Sequence, residues 1–283
     1  MQGTVDGFSY GLVTPVVAFL MACLGGALGL RCTTRSLHVA HTWRVGWLAL
    51  GSAAIGSGIW TMHFIAMMGF TVHGVPIHYD KATTFASLGV AIVMVGVGVF
   101  IVGYKGATGP ALFTGGTVTG LGVASMHYLG MAGIRLHGTL QYNTFTVVAS
   151  VVIAMAAATA ALWAAVQVRG IRWSLGASLV MGLAVSGMHY MSMAGVSVQV
   201  HASAGGTPTG DSAASILAPM LIGPLCFLLL AGVVVMVDPM MVMGRPDWRD
   251  ARESADQVGR PAVHIPRPRR PADQEHTGSP QRR

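Results

Sequence analysis

The chain has 283 residues, of which 53% are hydrophobic and 10% charged, whereas soluble domains carry about 25% charged residues. A soluble globular domain is therefore excluded, and a polytopic membrane protein is the class that fits. The formal net charge of +7 does not point to nucleic acid, because the Lys and Arg residues sit either after Pro239 or at the ends of apolar runs.

In chain order, seven apolar stretches approach the roughly 20 residues needed to cross a hydrocarbon core of about 30 Å. They are Tyr10 to Leu30, Trp47 to Phe70, Thr84 to Tyr104, Ala111 to Ile134, Thr144 to Val168, Ser174 to Val196 and Ile216 to Val237. No basic region precedes the first, so it does not read as a cleavable signal peptide and is expected to remain as a helix. Cys23 and Cys226 lie in apolar runs and Cys32 in a basic loop, without CxxC spacing, so no disulfide framework is expected. Small residues such as Gly25, Gly29, Gly116 and Gly120 suit close helix approach.

The loops after spans one, three and five carry Arg31, Arg35, Arg44, Lys105, Arg169 and Arg172; those after spans two, four and six carry only Lys81 and Arg135. The positive-inside rule then puts the N-terminus outside and the C-terminus in the cytoplasm. Residues 1–240 read as one seven-span membrane domain. Residues 241–283, rich in Pro, Arg, Asp and Gln, read as a disordered basic cytoplasmic tail.

The three even-numbered spans end on nearly the same words: MHFIAMMG from Met62, MHYLGMAG from Met126 and MHYMSMAG from Met188. Their histidines, His63, His127 and His189, are separated by 64 and then 62 residues, the length of two spans with their loops. This is an internal repeat of helix pairs. The fold class expected is thus all-α, with seven transmembrane helices built from that repeat.

Each copy places Met before the His (Met62, Met126, Met188), Met four residues after it (Met67, Met131, Met193) and Gly six after it (Gly69, Gly133, Gly195). Positions four apart on a helix differ by about 40° in direction, so each His shares a face with the later Met. The earlier Met lies about 100° round and reaches the same place only from the side. Under the charge rule the even spans run outward, and His63 is about 16 residues, or roughly 24 Å, along its span. Three helices then present three imidazoles and at least three thioethers in one layer near the outer face.

Imidazole is a borderline ligand and thioether a soft one; together, without carboxylate or thiolate, they suit copper, cuprous copper above all. A lone His near a helix end is usually an interfacial side chain, and a lone Met a gap-filler. Three copies at matched spacing make a shared site the better reading, since polar groups inside spans are functional candidates by default. The outer-loop histidines His73, His78, His137 and His201 read as interfacial.

At these three motifs the sequence resembles the MHYT domain of bacterial integral membrane proteins, over most of residues 10 to 240. The resemblance implies a sensor in the cytoplasmic membrane that binds copper near the outer face and responds to oxygen, carbon monoxide or nitric oxide. Phe64 stands where the pattern has Tyr, and the word Met-His-Tyr-Thr is absent. Family members are often fused to cytoplasmic output domains; here only the tail follows the last span, so output is expected through a separate cytoplasmic protein.

Two further readings compete. One is a copper carrier or buffer, although only scattered donors such as Met21, Met94, Met155, Met181 and Cys23 lie deeper. The other is a haem-binding redox protein with two axial histidines, which leaves the third His without a task. With no acid in the spans before Asp238 and no nucleophile beside a base, no enzyme activity is expected.

Overall fold

A computed structural model describes residues 2–7, 9–73, 75–167, 171–200 and 213–238. The expected tail, 241–283, and His201 lie outside the described residues. Among the described residues seven long helices follow in order: α1 (Val13–Ser36), α2 (His41–Met68), α3 (Lys81–Lys105), α4 (Gly109–Ala132), α5 (Thr144–Gln167), α6 (Ile171–Met193) and α7 (Ala213–Val237). Five of them, α1, α2, α3, α5 and α7, are long and apolar enough to cross a membrane. Helices α4 and α6 have 24 and 23 residues, with Gly, Ser, Thr and His among them, which lowers their hydropathy.

The helix ends differ from the sequence reading where polar side chains extend a helix beyond its apolar stretch. Helix α1 continues to Ser36, and the hydroxyls of Thr33, Thr34 and Ser36 are accommodated within it by donating to its own carbonyls at Gly29, Leu30 and Thr33. Helix α2 begins at His41, and its Arg44 donates to the Gly103 carbonyl near the end of α3, at 2.8 Å. Arg35 pairs with Asp238 at 2.5 Å, joining the ends of α1 and α7.

Helices α1 to α6 pack in a ring, each against the next and α6 back against α1, with α7 against α2 and α1. Large apolar side chains face outward, among them Leu12, Phe113, Phe145, Trp173, Leu183 and Leu229, as the lipid-facing surface of a bundle requires. Glycine permits a close crossing of α1 and α2: a Cβ on Gly58 would stand 2.6 Å from the Gly25 Cα, and one on Gly25 2.7 Å from the Gly58 Cα. On α4, a Cβ on Gly120 would meet the Met155 Cα of α5, and one on Gly116 would meet the Thr159 hydroxyl and, at 2.8 Å, the Thr159 Cα.

Only backbone lies across from Gly58, and backbone cannot turn aside. Gly58→Ala is therefore expected to cost about 1–3 kcal/mol through overpacking, measured as a lower unfolding midpoint in detergent. Gly46→Ala, with nothing within 4 Å, should leave that midpoint unchanged or raise it.

Short strands, where the sequence shows only loops between spans, knit together the end of the bundle where the motifs lie. They are β1 (Gln2–Gly3), β2 (Val5–Asp6), β3 (Thr71–Val72), β4 (His78–Tyr79), β5 (Ile134–Arg135), β6 (Gly138–Tyr142) and β7 (Val196–Val200). All pairings are antiparallel: β7 lies between β1 and β6, β2 pairs with β3, and β4 with β5. Burial raises the pKa of the Tyr79 phenol above its ordinary value.

The motif glycines have a structural task that repeats with the helix pairs. The carbonyls of Gly69, Gly133 and Gly195 accept from the backbone N–H of Ser9, Asp80 and Asn143, at 3.1, 2.8 and 3.0 Å. Each donor stands just ahead of the odd helix of the same pair. A Cβ on these glycines would press on Thr14, Thr84 and Thr146, in the first turns of α1, α3 and α5. Asp80 also caps α3; the Thr83 hydroxyl and N–H hold its carboxyl below the usual carboxylate range, with help from Arg135.

Candidate metal centre

Helices α2, α4 and α6 bring the three motif histidines together between one and two turns from their ends, and all three rings are buried. The Nδ1 atoms form a triangle with edges of 3.1 Å (His63 to His189), 3.2 Å (His63 to His127) and 3.4 Å (His127 to His189). The ring planes cross at 74–84°, or nearly perpendicular, in a propeller. This is the only grouping of three or more His, Cys, Asp or Glu with metal-ligand spacing among the described residues, and it contains no carboxylate.

The donor set fits a small cation. With metal–imidazole bonds of about 2.0 Å, nitrogens at angles between tetrahedral and trigonal lie about 3.3–3.5 Å apart, close to the triangle observed. Three buried imidazole nitrogens facing one another need a cation or shared protons to offset lone-pair repulsion. The absence of acid favours a singly charged ion, because the cost of burying charge rises steeply with its magnitude.

The methionines divide into two groups. Met67 and Met193 line a cavity of about 450 Å³ together with His189, Ala66 and Phe70. Met131 is fully buried in the core. Met62 and Met126 are also core residues, while Met188 lines a separate, almost wholly apolar cavity of about 30 Å³. His73, His78 and His137 are exposed, outside the triad.

Three polar residues at the site were not singled out by the sequence reading. His127 Nε2 lies 2.8 Å from Ser192 Oγ, Ser192 Oγ lies 2.9 Å from Tyr128 Oη, and Tyr128 Oη lies 2.8 Å from Ser150 Oγ. Tyr128 and Ser192 lie inside motif copies, so their positions were a signal; Ser150, on α5, had none. His63 Nε2 is buried without a hydrogen-bond partner.

The model of the MHYT family, described as a bacterial signalling protein N-terminal repeat, matches residues 56–115 and 120–178. The matched segments contain His63 and His127, and the third copy lies beyond them. The chain is 30% identical over 235 residues to the bifunctional diguanylate cyclase/cyclic di-GMP phosphodiesterase MucR of Pseudomonas aeruginosa, covering 81% of this chain and 34% of that protein. It is 34% identical over 222 residues to the cyclic di-GMP phosphodiesterase NbdA of the same organism, covering 73% and 27%. Against the signaling protein YkoW of Bacillus subtilis the identity is 30% over 193 residues, covering 65% and 24%. The chain thus spans about a third or less of the length of these relatives, and no solved structure matches it. With two matched repeats and a third copy of the motif, this multi-pass membrane chain belongs to the MHYT family of bacterial signalling proteins.

Proposed function

We propose that this chain is a copper-binding sensor module of the bacterial cytoplasmic membrane, with the ion held by His63, His127 and His189 near the outer face. The observation that carries this reading is the Nδ1 triangle of 3.1–3.4 Å. Met67 and Met193 line the cavity that reaches His189 and give a cuprous ion soft donors on its way in. All seven helices cross the membrane, with the N-terminus outside and the C-terminus in the cytoplasm.

Copper would supply a soft, redox-active centre for a diatomic gas: oxygen, carbon monoxide or nitric oxide. The chain's own part is to hold three imidazoles in a fixed propeller and leave the His189 side accessible. A change at the triad is transmitted along α2, α4 and α6 to the cytoplasmic loops. The module itself performs no catalysis. The names of its relatives favour a cytoplasmic output protein that makes or breaks cyclic di-GMP.

A carrier reading is less well supported, because the cavity on the other side of Met188 is small and mostly aliphatic, with Met181 and the hydroxyls of Thr33 and Thr119 as scattered donors and no histidine, cysteine or carboxylate in its lining. A haem reading needs a slot for a macrocycle between two axial imidazoles, and three rings with centroids 4.8–5.2 Å apart leave none. Elemental analysis of the detergent-purified protein tests the proposal. Copper should be retained by the wild type and lost when all three histidines are changed to Ala; equal copper in both samples would refute it.

A further inference from the structure

The direction of the hydrogen bonds at His127 can be read from their far end. Ser150 Oγ lies 2.8 Å from the carbonyl of Val147, and a carbonyl only accepts, so the single Ser150 proton is committed there. Tyr128 must then donate to Ser150, and Ser192 to Tyr128. Ser192 Oγ is left as an acceptor 2.8 Å from His127 Nε2. The ring can satisfy it only by carrying its proton on Nε2.

We propose that Ser150, Tyr128 and Ser192 form a one-way hydroxyl chain that fixes His127 as the Nε2–H tautomer and keeps its Nδ1 lone pair aimed into the triad. They are positioning residues. The proposal rests on the copper reading for its purpose but not for the tautomer itself. In the apolar interior of a bundle each of these hydroxyls must find a partner, so reversing one bond means reversing them all.

The repeat shows that this support is particular to one histidine. Three residues after the motif His stand Ala66, Gly130 and Ser192. Gly130 abuts His63 Nε2, where a Cβ would come within 2.7 Å, and Ala66 shares the cavity wall with His189. Only the third copy places a hydroxyl at this position, and it serves His127. Orienting partners of this kind typically change metal affinity by about 10–100-fold.

The test has two readouts. In metal-free protein labelled with ¹⁵N-histidine, NMR should show the His127 proton on Nε2. In Tyr128→Phe, where the Ser192 hydroxyl is released to donate to the ring, the proton should move to Nδ1. By competition against a cuprous chelator, Tyr128→Phe and Ser192→Ala should each bind cuprous ion about 10–100-fold more weakly, with unchanged stoichiometry at saturation. Ser192→Thr should keep the wild-type tautomer and affinity. Ser52→Ala, which removes a buried hydroxyl bonded to its own helix at Leu48, should have no effect.

A proton on Nδ1 in the metal-free wild type, or an unmoved proton in Tyr128→Phe, would overturn the hydroxyl chain. Wild-type protein that shows the Nε2–H tautomer but binds no cuprous ion would sustain the chain and overturn the copper reading instead.

Discussion

His127→Ala is expected to weaken cuprous binding by more than the roughly 100-fold that loss of an orienting partner costs, because it removes a ligand and strands its support together. His127 contributes two edges of the triangle and heads the hydroxyl chain through Ser192 and Tyr128. Its ring is fully buried, so water has little access to the vacated position. His189, which borders the larger cavity, is better placed to be replaced by solvent, so His189→Ala should cost less. Competition titration with a cuprous chelator ranks the variants. The exposed His73→Ala is the control, and equal affinity for the His73 and His127 variants would mean that the copper was bound elsewhere.

Gly130→Ala is expected to lower affinity without touching a ligand. Its Cβ would stand 2.7 Å from His63 Nε2 and 3.1 Å from Phe64 Cζ, closer than packed atoms tolerate. His63 is enclosed by the Phe64, His127 and His189 rings, with centroids 4.6–5.1 Å away, so it can retreat only by opening the triangle. Overpacking in a tight core costs about 1–3 kcal/mol, and if that falls on the site the affinity drops by roughly 5–140-fold at 1.4 kcal/mol per decade. Helical content should be retained, since Ala favours helix over Gly. Wild-type affinity in folded Gly130→Ala protein would show that His63 has room the packing does not suggest.

Both expectations depend on features of different legibility. That His63, His127 and His189 would share one layer was readable, because a helix pair spanning a membrane has a nearly fixed length and the motif recurs once per pair. The close approach of α1 to α2 was foreshadowed by Gly25, and that of α4 to α5 by Gly116 and Gly120. The motif glycines were visible as a repeat, but not their role: the partners Ser9, Asp80 and Asn143 lie 52 to 60 residues away in sequence. The strands at the motif end were missed for the same reason. They are two to five residues long, too short for an alternating pattern, and β7 exists through its pairing with β1 and β6.

Local periodicity acts within one helix. By itself, therefore, the sequence determined the membrane class, the repeat of helix pairs, the common layer of the three histidines and the helical spacing of each His and its later Met. How far each helix is turned about its axis is set by packing between helices. Only the tertiary structure decided that the Nδ1 atoms converge, that Met67 and Met193 reach the cavity at His189 while Met131 is buried in the core, and that Ser192 of one helix and Ser150 of another complete the surroundings of His127.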